Sequence, residues 1–254
     1  MTPTSNKIFS KKVADITLLF WVMKISATTL GETLGDMLSM TFDWGYGLSS
    51  AILLGFFILT FIMQLGSKSY NPILYWLVII ATSTAGTTIS DYMDRSLGFG
   101  YATGSIVLLS LLIVILSIWY LSEKTLSVTN IHSRKLEFFY WFTILISNTL
   151  GTALGDFLAD DSGLGFSGGA LLIGSLLMIL IALFYFTKMS QVSLFWIAFV
   201  LTRPFGATLG DLLTKSVDKG GFDLGTIGSS VVLGSMLIFL IGNEWLKGRK
   251  RYSV

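Results

Sequence analysis

Residues 21–36 read WVMKISATTLGETLGD, and the same frame returns as WLVIIATSTAGTTISD at 76–91, WFTILISNTLGTALGD at 141–156 and WIAFVLTRPFGATLGD at 196–211. In each copy a tryptophan is followed ten residues later by a G-x-x-x-(G/S)-D motif: Gly31, Gly35 and Asp36; Gly86, Ser90 and Asp91; Gly151, Gly155 and Asp156; Gly206, Gly210 and Asp211. Recurrence at a fixed spacing marks a repeat architecture. The first glycines lie 55, 65 and 55 residues apart. The chain therefore divides into units of approximately 13–66, 68–122, 133–187 and 190–246, grouped as halves 13–122 and 133–246 within one membrane domain, 1–254.

Composition sets the solvent. With 53% hydrophobic residues, 13% charged residues, three prolines and a mean hydropathy of +0.74, a chain of 254 residues is too apolar for a water-soluble domain. Each repeat holds two apolar stretches near the ~20 residues that a bilayer core demands. The expected spans are 13–36, 47–66, 72–91, 102–122, 137–157, 167–187, 193–213 and 226–246. The expected fold is an all-α integral membrane protein of eight transmembrane helices. Two helices per unit return the chain to its starting side, so the four two-helix repeats are expected to be parallel about an axis along the membrane normal. The first apolar stretch is too long for a cleaved signal core and is read as helix one.

The basic residues predict the orientation. Lys7, Lys11, Lys12, Lys68, Lys124, Arg134, Lys135, Lys188, Lys247, Arg249, Lys250 and Arg251 fall on one side, against Arg95, Lys215 and Lys219 on the other. The positive-inside rule then puts both termini in the cytoplasm, in a cell (inner) membrane. Asp43, Asp94, Asp160, Asp161, Asp218 and Asp223 make the opposite face acidic, which concentrates cations there. The chain has no cysteine and a single histidine, His132, in a polar connector. No resident cofactor or nucleic-acid partner is expected, and the expected partners are the lipid bilayer and a small inorganic cation.

Two small residues one helical turn apart let a neighbouring backbone approach, so the glycines and Ser90 of the motif are read first as packing positions, a role that would equally serve a homo-oligomer. Gly45 and Ser49, Gly100 and Gly104, Gly165 and Gly169, and Gly225 and Ser229 give the even-numbered helices similar pairs. The tryptophans read as an inner interfacial belt. The aspartates lie roughly 22 Å farther along each helix, where an acid could simply mark a helix end.

Against that plain reading stands the column of polar residues spaced by four behind each Asp. Helix one carries Asp36, Glu32, Thr28 and Lys24; helix three Asp91, Thr87 and Ser83; helix five Asp156, Thr152 and Asn148; helix seven Asp211, Ala207 and Arg203. A second ring, Thr29, Thr84, Thr149 and Pro204, lies one residue beyond the third position. Polar side chains at that depth face partners or a wet cavity. Glu32 is the only acid and Arg203 the only base at their repeat positions, while Lys24 has Ile79, Ile144 and Phe199 as counterparts. Lys24, Glu32 and Arg203 are thus candidates for charge pairing or coupling, although a buried ion pair can be purely structural.

With the four aspartates, those three groups make five negative and two positive charges, which favours a cation as guest. The candidate binding set is Glu32, Asp36, Asp91, Asp156 and Asp211, with Thr87, Asn148 and Thr152 as neutral oxygens; the five acids are the candidate metal ligands. Hard oxygen donors suit Mg²⁺, Ca²⁺ or Mn²⁺. Glu32, held in apolar surroundings, is also a candidate proton carrier.

The segments T-x-G-E-x-x-G-D at 29–36, S-D-x-x-D-R-x-L-G-x-G-Y at 90–101 and R-P-x-G-A-x-x-G-D at 203–211 resemble a bacterial family of uncharacterised integral membrane ("membrane-anchored") proteins, over all four repeats. Glu32-Thr33-Leu34-Gly35-Asp36 is loosely similar to the E-x-G-D-(K/R)-(S/T) signature of calcium and manganese cation exchangers, but is one residue longer and lacks the following base. The expected function is a secondary transporter of a small inorganic cation, in the exporting direction, with a divalent metal such as Mn²⁺ as first candidate and protons as coupling ion. A cation channel-like pore and a non-transporting scaffold or sensor component are the alternatives. No nucleophile–base pair or metal-hydrolase motif is present, so no enzyme is expected.

Overall fold

The computed structural model describes residues 12–129, 131 and 133–251, with side chains to residue 247. His132 and the basic residues Lys7, Lys11, Arg249, Lys250 and Arg251 lie outside that description, apart from the helical backbone at 249–251. Among the described residues the fold is all-helical: α1 Leu18–Asp36, α2 Gly45–Gly66, α3 Pro72–Asp91, α4 Tyr101–Glu123, α5 Arg134–Asp156, α6 Gly165–Phe186, α7 Gln191–Thr214 and α8 Gly225–Arg251.

Helix starts follow the local chemistry. The side chains of Thr17, Asn71, Ser133 and Ser190 each accept an amide hydrogen bond from the first turn of α1, α3, α5 and α7, meeting donors that have no partner within the helix. Helix α1 starts at Leu18 rather than near residue 13, because Thr17 caps it and Val13 and Ala14 are buried ahead of the cap. Beyond the motif aspartates, α1, α3 and α5 each continue into a five-residue π-helical turn, Met37–Thr41, Tyr92–Ser96 and Phe157–Asp161. Gly45, Gly100, Gly165 and Gly225 then take φ between 65° and 71° where the even-numbered helices begin, a conformation that a β-carbon disfavours. Their recurrence is thus a backbone requirement rather than the packing role expected for them.

Among the described residues, α3 and α5 with their adjoining turns, α7, and α2, α4, α6 and α8 make seven helices long and apolar enough to cross a membrane. Helix α1 is not among the seven; it carries Lys24, Glu32 and Asp36 within its 19 residues. All three charges are buried by neighbouring helices, so α1 is polar towards the protein interior.

The motif helices form the inside. Helices α1, α3, α5 and α7 pack in cyclic order, each touching the next and α7 closing on α1, and each even-numbered helix lies mainly on the motif helix of the following repeat: α2 on α3, α4 on α5, α6 on α7 and α8 on α1. Over their most apolar stretches 72% of residues are buried for α3 and α5 but only 22% for α4 and α6, which places the even-numbered helices on the perimeter. Their large apolar side chains, such as Leu59, Leu121, Leu171 and Phe239, point away from the bundle.

Glycine sets how closely the inner helices approach. Gly31 and Gly35 of α1 face Ser83 and Thr87 of α3; Gly86 faces Asn148 and Thr149 of α5; Gly151 and Gly155 face Arg203 and Ala207 of α7; Gly206 and Gly210 face Thr28 and Glu32 of α1. Stepping four residues along one helix steps four along its neighbour in three of the four contacts. Ser90, fully buried, also donates its hydroxyl to Asp94 Oδ2 at 3.2 Å.

At the opposite end from the aspartates, three of the four motif tryptophans depart from the interfacial reading, while Trp21 is half-buried. Trp76, Trp141 and Trp196 are 1%, 0% and 5% exposed, part of an aromatic core with Tyr75, Tyr140 and Trp119. Their position near a helix start resembles a membrane belt, but the column they occupy turns inward. Two polar ties close this end: Lys12 Nζ donates to the buried Glu137 Oε2 at 2.7 Å, and the half-buried Glu244 accepts from Tyr70 Oη at 2.7 Å and Trp76 Nε1 at 3.1 Å.

Candidate functional site

The ring stacks the repeat columns as layers, beginning with the four aspartates. Asp36, Asp91, Asp156 and Asp211 are all 4% exposed or less and share two cations. Arg95 Nε lies 3.0 Å from Asp91 Oδ1 and its Nη2 lies 3.1 Å from Asp156 Oδ2, while Lys215 Nζ lies 3.0 Å from both Asp36 Oδ2 and Asp211 Oδ1. The Arg95 guanidinium also stands 5.7 Å and 5.5 Å from the ring centroids of Tyr46 and Tyr101, with Nη1 donating to Tyr46 Oη at 3.1 Å. For Lys215, just beyond α7, burial pulls its pKa down, but the Asp211 and Asp36 carboxylates more than offset this and raise it above the ordinary lysine value. It therefore remains an ammonium.

One turn deeper, Glu32, Thr87 and Thr152 meet around a base that comes from the layer below. Ala207 is the small member of this layer, and the guanidinium of Arg203 fills the space: its Nη2 donates to Glu32 Oε2 at 2.9 Å and to Thr87 Oγ1 and Thr152 Oγ1 at 2.6 Å each. Arg203 is fully buried, and its Nε and Nη1 have no protein acceptor. This one side chain ties α7 to α1, α3 and α5.

Lys24 does not join that ion pair. Its Nζ donates to Asn148 Oδ1 at 3.3 Å and sits 4.2 Å from the centroid of the Phe199 ring, while Asn148 Nδ2 donates to Thr82 Oγ1 at 3.0 Å. Asn148 is thus a partner of Lys24 one layer below the acids, apart from the oxygens expected to hold a cation with them. The second ring contributes little to a common cavity, since Thr29, Thr84 and Thr149 each donate to the carbonyl four residues back in their own helix.

Of the five candidate metal ligands, the structure brings three together: carboxylate oxygens of Glu32, Asp36 and Asp211 lie within 4.8 Å of one another. That spacing fits oxygens arranged around one hard cation, whose bonds run about 2.0–2.6 Å. Asp91 and Asp156 occupy the other half of the ring under Arg95. Arg95 and Lys215, read from sequence as outer-face bases, are the residues missed here; the signal was their i+4 spacing from Asp91 and Asp211. Counting them turns the five-to-two charge ratio into five to four, so the surplus is one negative charge rather than three.

A family profile described as a repeat of unknown function (DUF347) matches the chain four times, at residues 19–70, 74–125, 139–190 and 194–250. No curated protein and no solved structure matches. The four matches follow the helix pairs that build the ring and cover most of the sequence, and the chain belongs to the DUF347 repeat family.

Proposed function

We propose that this chain is a multi-pass inner-membrane secondary transporter that exports a small inorganic cation, a divalent metal such as Mn²⁺ first among candidates, in exchange for protons. The observation that carries this reading is the buried Glu32, Asp36 and Asp211 cluster, whose oxygens lie within 4.8 Å. Carboxylates buried in apolar helices are costly and cluster at ion pathways. Asp36 and Asp211 provide hard oxygens, and Lys215 supplies a charge that an entering cation displaces. Glu32 belongs both to this cluster and to the Arg203 pair, so its protonation would weaken the cation site and its deprotonation restore it. Asp91, Asp156, Thr87 and Thr152 complete the polar path.

Export of Mn²⁺ coupled to proton movement is expected in proteoliposomes of the wild type and is expected to be lost in Glu32→Gln and Asp36→Asn. The Glu32 amide keeps an oxygen for Arg203, so the variant should remain folded and monodisperse. Wild-type proteoliposomes that move no cation would remove the proposal. Full transport by Glu32→Gln with unchanged pH dependence would leave transport standing but take Glu32 out of the coupling.

The reading puts all eight helices across the bilayer, α1 included because its charges face the ring, with the repeats parallel and both termini cytoplasmic. Asp43, Asp161 and Lys124 are exposed, and the chain has no cysteine of its own. Single cysteines at 43 and 161 are expected to react with an impermeant reagent applied outside intact cells, and one at 124 only after the membrane is opened. The reverse pattern would invert the orientation, and labelling of all three from one side would break the helix count.

A further inference from the structure

The two cations over the aspartate ring divide it. Arg95 and Lys215 occupy the same repeat position, four residues after Asp91 and Asp211; repeats one and three carry Met40 and Asp160 there. Each base pairs with the Asp of its own helix and with the Asp of the next motif helix: Arg95 joins α3 to α5, and Lys215 joins α7 to α1. The perimeter reinforces this pairing, because α2 and α4 lie on α3 and α5, whereas α6 and α8 lie on α7 and α1. Arg95 also holds Tyr46 at the start of α2, and Ser230 of α8 donates to Thr33 of α1 at 2.8 Å. The four inner interfaces are packed alike, so it is this ionic pairing that groups α2–α5 on one side and α6–α8 with α1 on the other.

The seams between these bodies run along α1/α3 and α5/α7. The covalent crossings at the aspartate end are the segments after Asp36 and Asp156, which contain the π-helical turns Met37–Thr41 and Phe157–Asp161. Such turns recur where helices adjust for function. Deeper in the ring the bodies are tied by Arg203 to Thr87 and Thr152 and by Lys24 to Asn148, and at the tryptophan end by Trp76 to Glu244. The side-chain ties across the seams thus lie below the aspartates, and only the two connecting segments cross at their level.

We propose that Arg95 and Lys215 are two ionic locks that clamp α3 to α5 and α7 to α1, so that the ring opens at its aspartate end along the α1/α3 and α5/α7 seams. The moving halves are then not the sequence halves, 13–122 and 133–246, since α1 moves with α6–α8. On the cation-transport reading, on which the purpose of the movement rests, the opening exposes Glu32 from the α1/α3 side while Lys215 regulates entry to the Asp36–Asp211 side.

Leu48, Ile106, Leu171 and Ile227 are exposed near the starts of α2, α4, α6 and α8. Cysteine pairs at these positions, carrying short-range fluorophores in nanodiscs, report distances within each body (48 with 106, 171 with 227) and across the seams (48 with 227, 106 with 171). In ion-free wild type the cross-seam distributions are expected to be at least about twofold broader than those within a body. Lys215→Gln is expected to broaden only the 171–227 distribution among the within-body pairs, and Arg95→Gln only the 48–106 distribution. Equal widths in wild type, or neutralised locks that leave their own pair unchanged, overturn the proposal. Because an ion held by Asp36 and Asp211 bridges α1 and α7 in place of Lys215, addition of MnCl₂ to wild type is expected to move the cross-seam pairs alone. Movement within the bodies instead overturns the seams, whereas intact lock behaviour with no response of any pair to MnCl₂ keeps the locks and counts against Mn²⁺ as cargo.

Discussion

Arg203→Met is expected to destabilise the protein by about 3–5 kcal/mol, the range for removing one partner of a buried ion pair. The loss is large because Glu32, 3% exposed, loses its 2.9 Å contact with Nη2 and is left in the ring without a cationic partner. Thr87 and Thr152 remain nearby, at 3.3 and 3.5 Å from Glu32 Oε2, but two hydroxyls do not replace a cation. They also lose the donor that holds each at 2.6 Å. The double variant Arg203→Met/Glu32→Gln removes both charges and is expected to recover most of the loss, because a buried pair replaced by neutral groups is often close to neutral in stability. Arg203 already leaves Nε and Nη1 without protein acceptors, which works in the same direction. Thermal unfolding in detergent of the wild type, both single variants and the double variant gives the coupling. A double variant as unstable as Arg203→Met would mean that the guanidinium stabilises the ring by packing, not by neutralising Glu32.

How far the sequence could reach is seen in this same residue. Glu32, Arg203 and Lys24 stand out as charges where their repeat counterparts are neutral, and two of the three do pair. What the pattern could not provide is side-chain reach: Arg203 starts in the layer of Thr28, Ser83 and Asn148, but its length carries the guanidinium outward to the space beside Ala207. Lys24 lacks such a neighbour and meets Asn148 and Phe199 instead. The helix spans were legible because length and apolarity determine them, and the structure places their ends within a few residues, with Thr17 accounting for the late start of α1. Arg95 and Lys215 were not recognised as part of the site, since a base just past an apolar stretch reads as a connector. Only the packing of neighbouring repeats brings Arg95 to Asp156 and Lys215 to Asp36. Trp76, Trp141 and Trp196 misled for the opposite reason: their sequence position matches a membrane belt, and the burial that distinguishes core from belt arises only when four helices close a ring.

Gly151→Ala, Gly31→Ala and Gly206→Ala are each expected to cost about 2–3 kcal/mol, the upper part of the range for overpacking a close-packed interior. A β-carbon on Gly151 would overlap the Arg203 stem, at 2.5 Å from its Cβ and 3.0 Å from Pro204 Cδ. That stem cannot swing aside cheaply, because its far end is held by Glu32, Thr87 and Thr152. On Gly31 the new carbon would meet the Ser83 side chain and come within 2.9 Å of its backbone carbonyl carbon, and on Gly206 it would meet Thr28 and come within 3.0 Å of the corresponding atom. A backbone atom moves only with its helix. In an open bundle one interface could widen, but here α7 closes back on α1, so at the depth of these glycines, below the aspartates, spreading one contact strains the other three. Gly55 of α2 supplies the contrast: a β-carbon there meets nothing within 4 Å, so Gly55→Ala is expected to be neutral or to stabilise by up to about 1 kcal/mol through helix propensity alone. Thermal unfolding of the four variants in one detergent decides the matter. Wild-type stability in all three ring variants would mean that the helices can separate without penalty, and the close approach of α1, α3, α5 and α7 would then not be what the repeated glycines maintain.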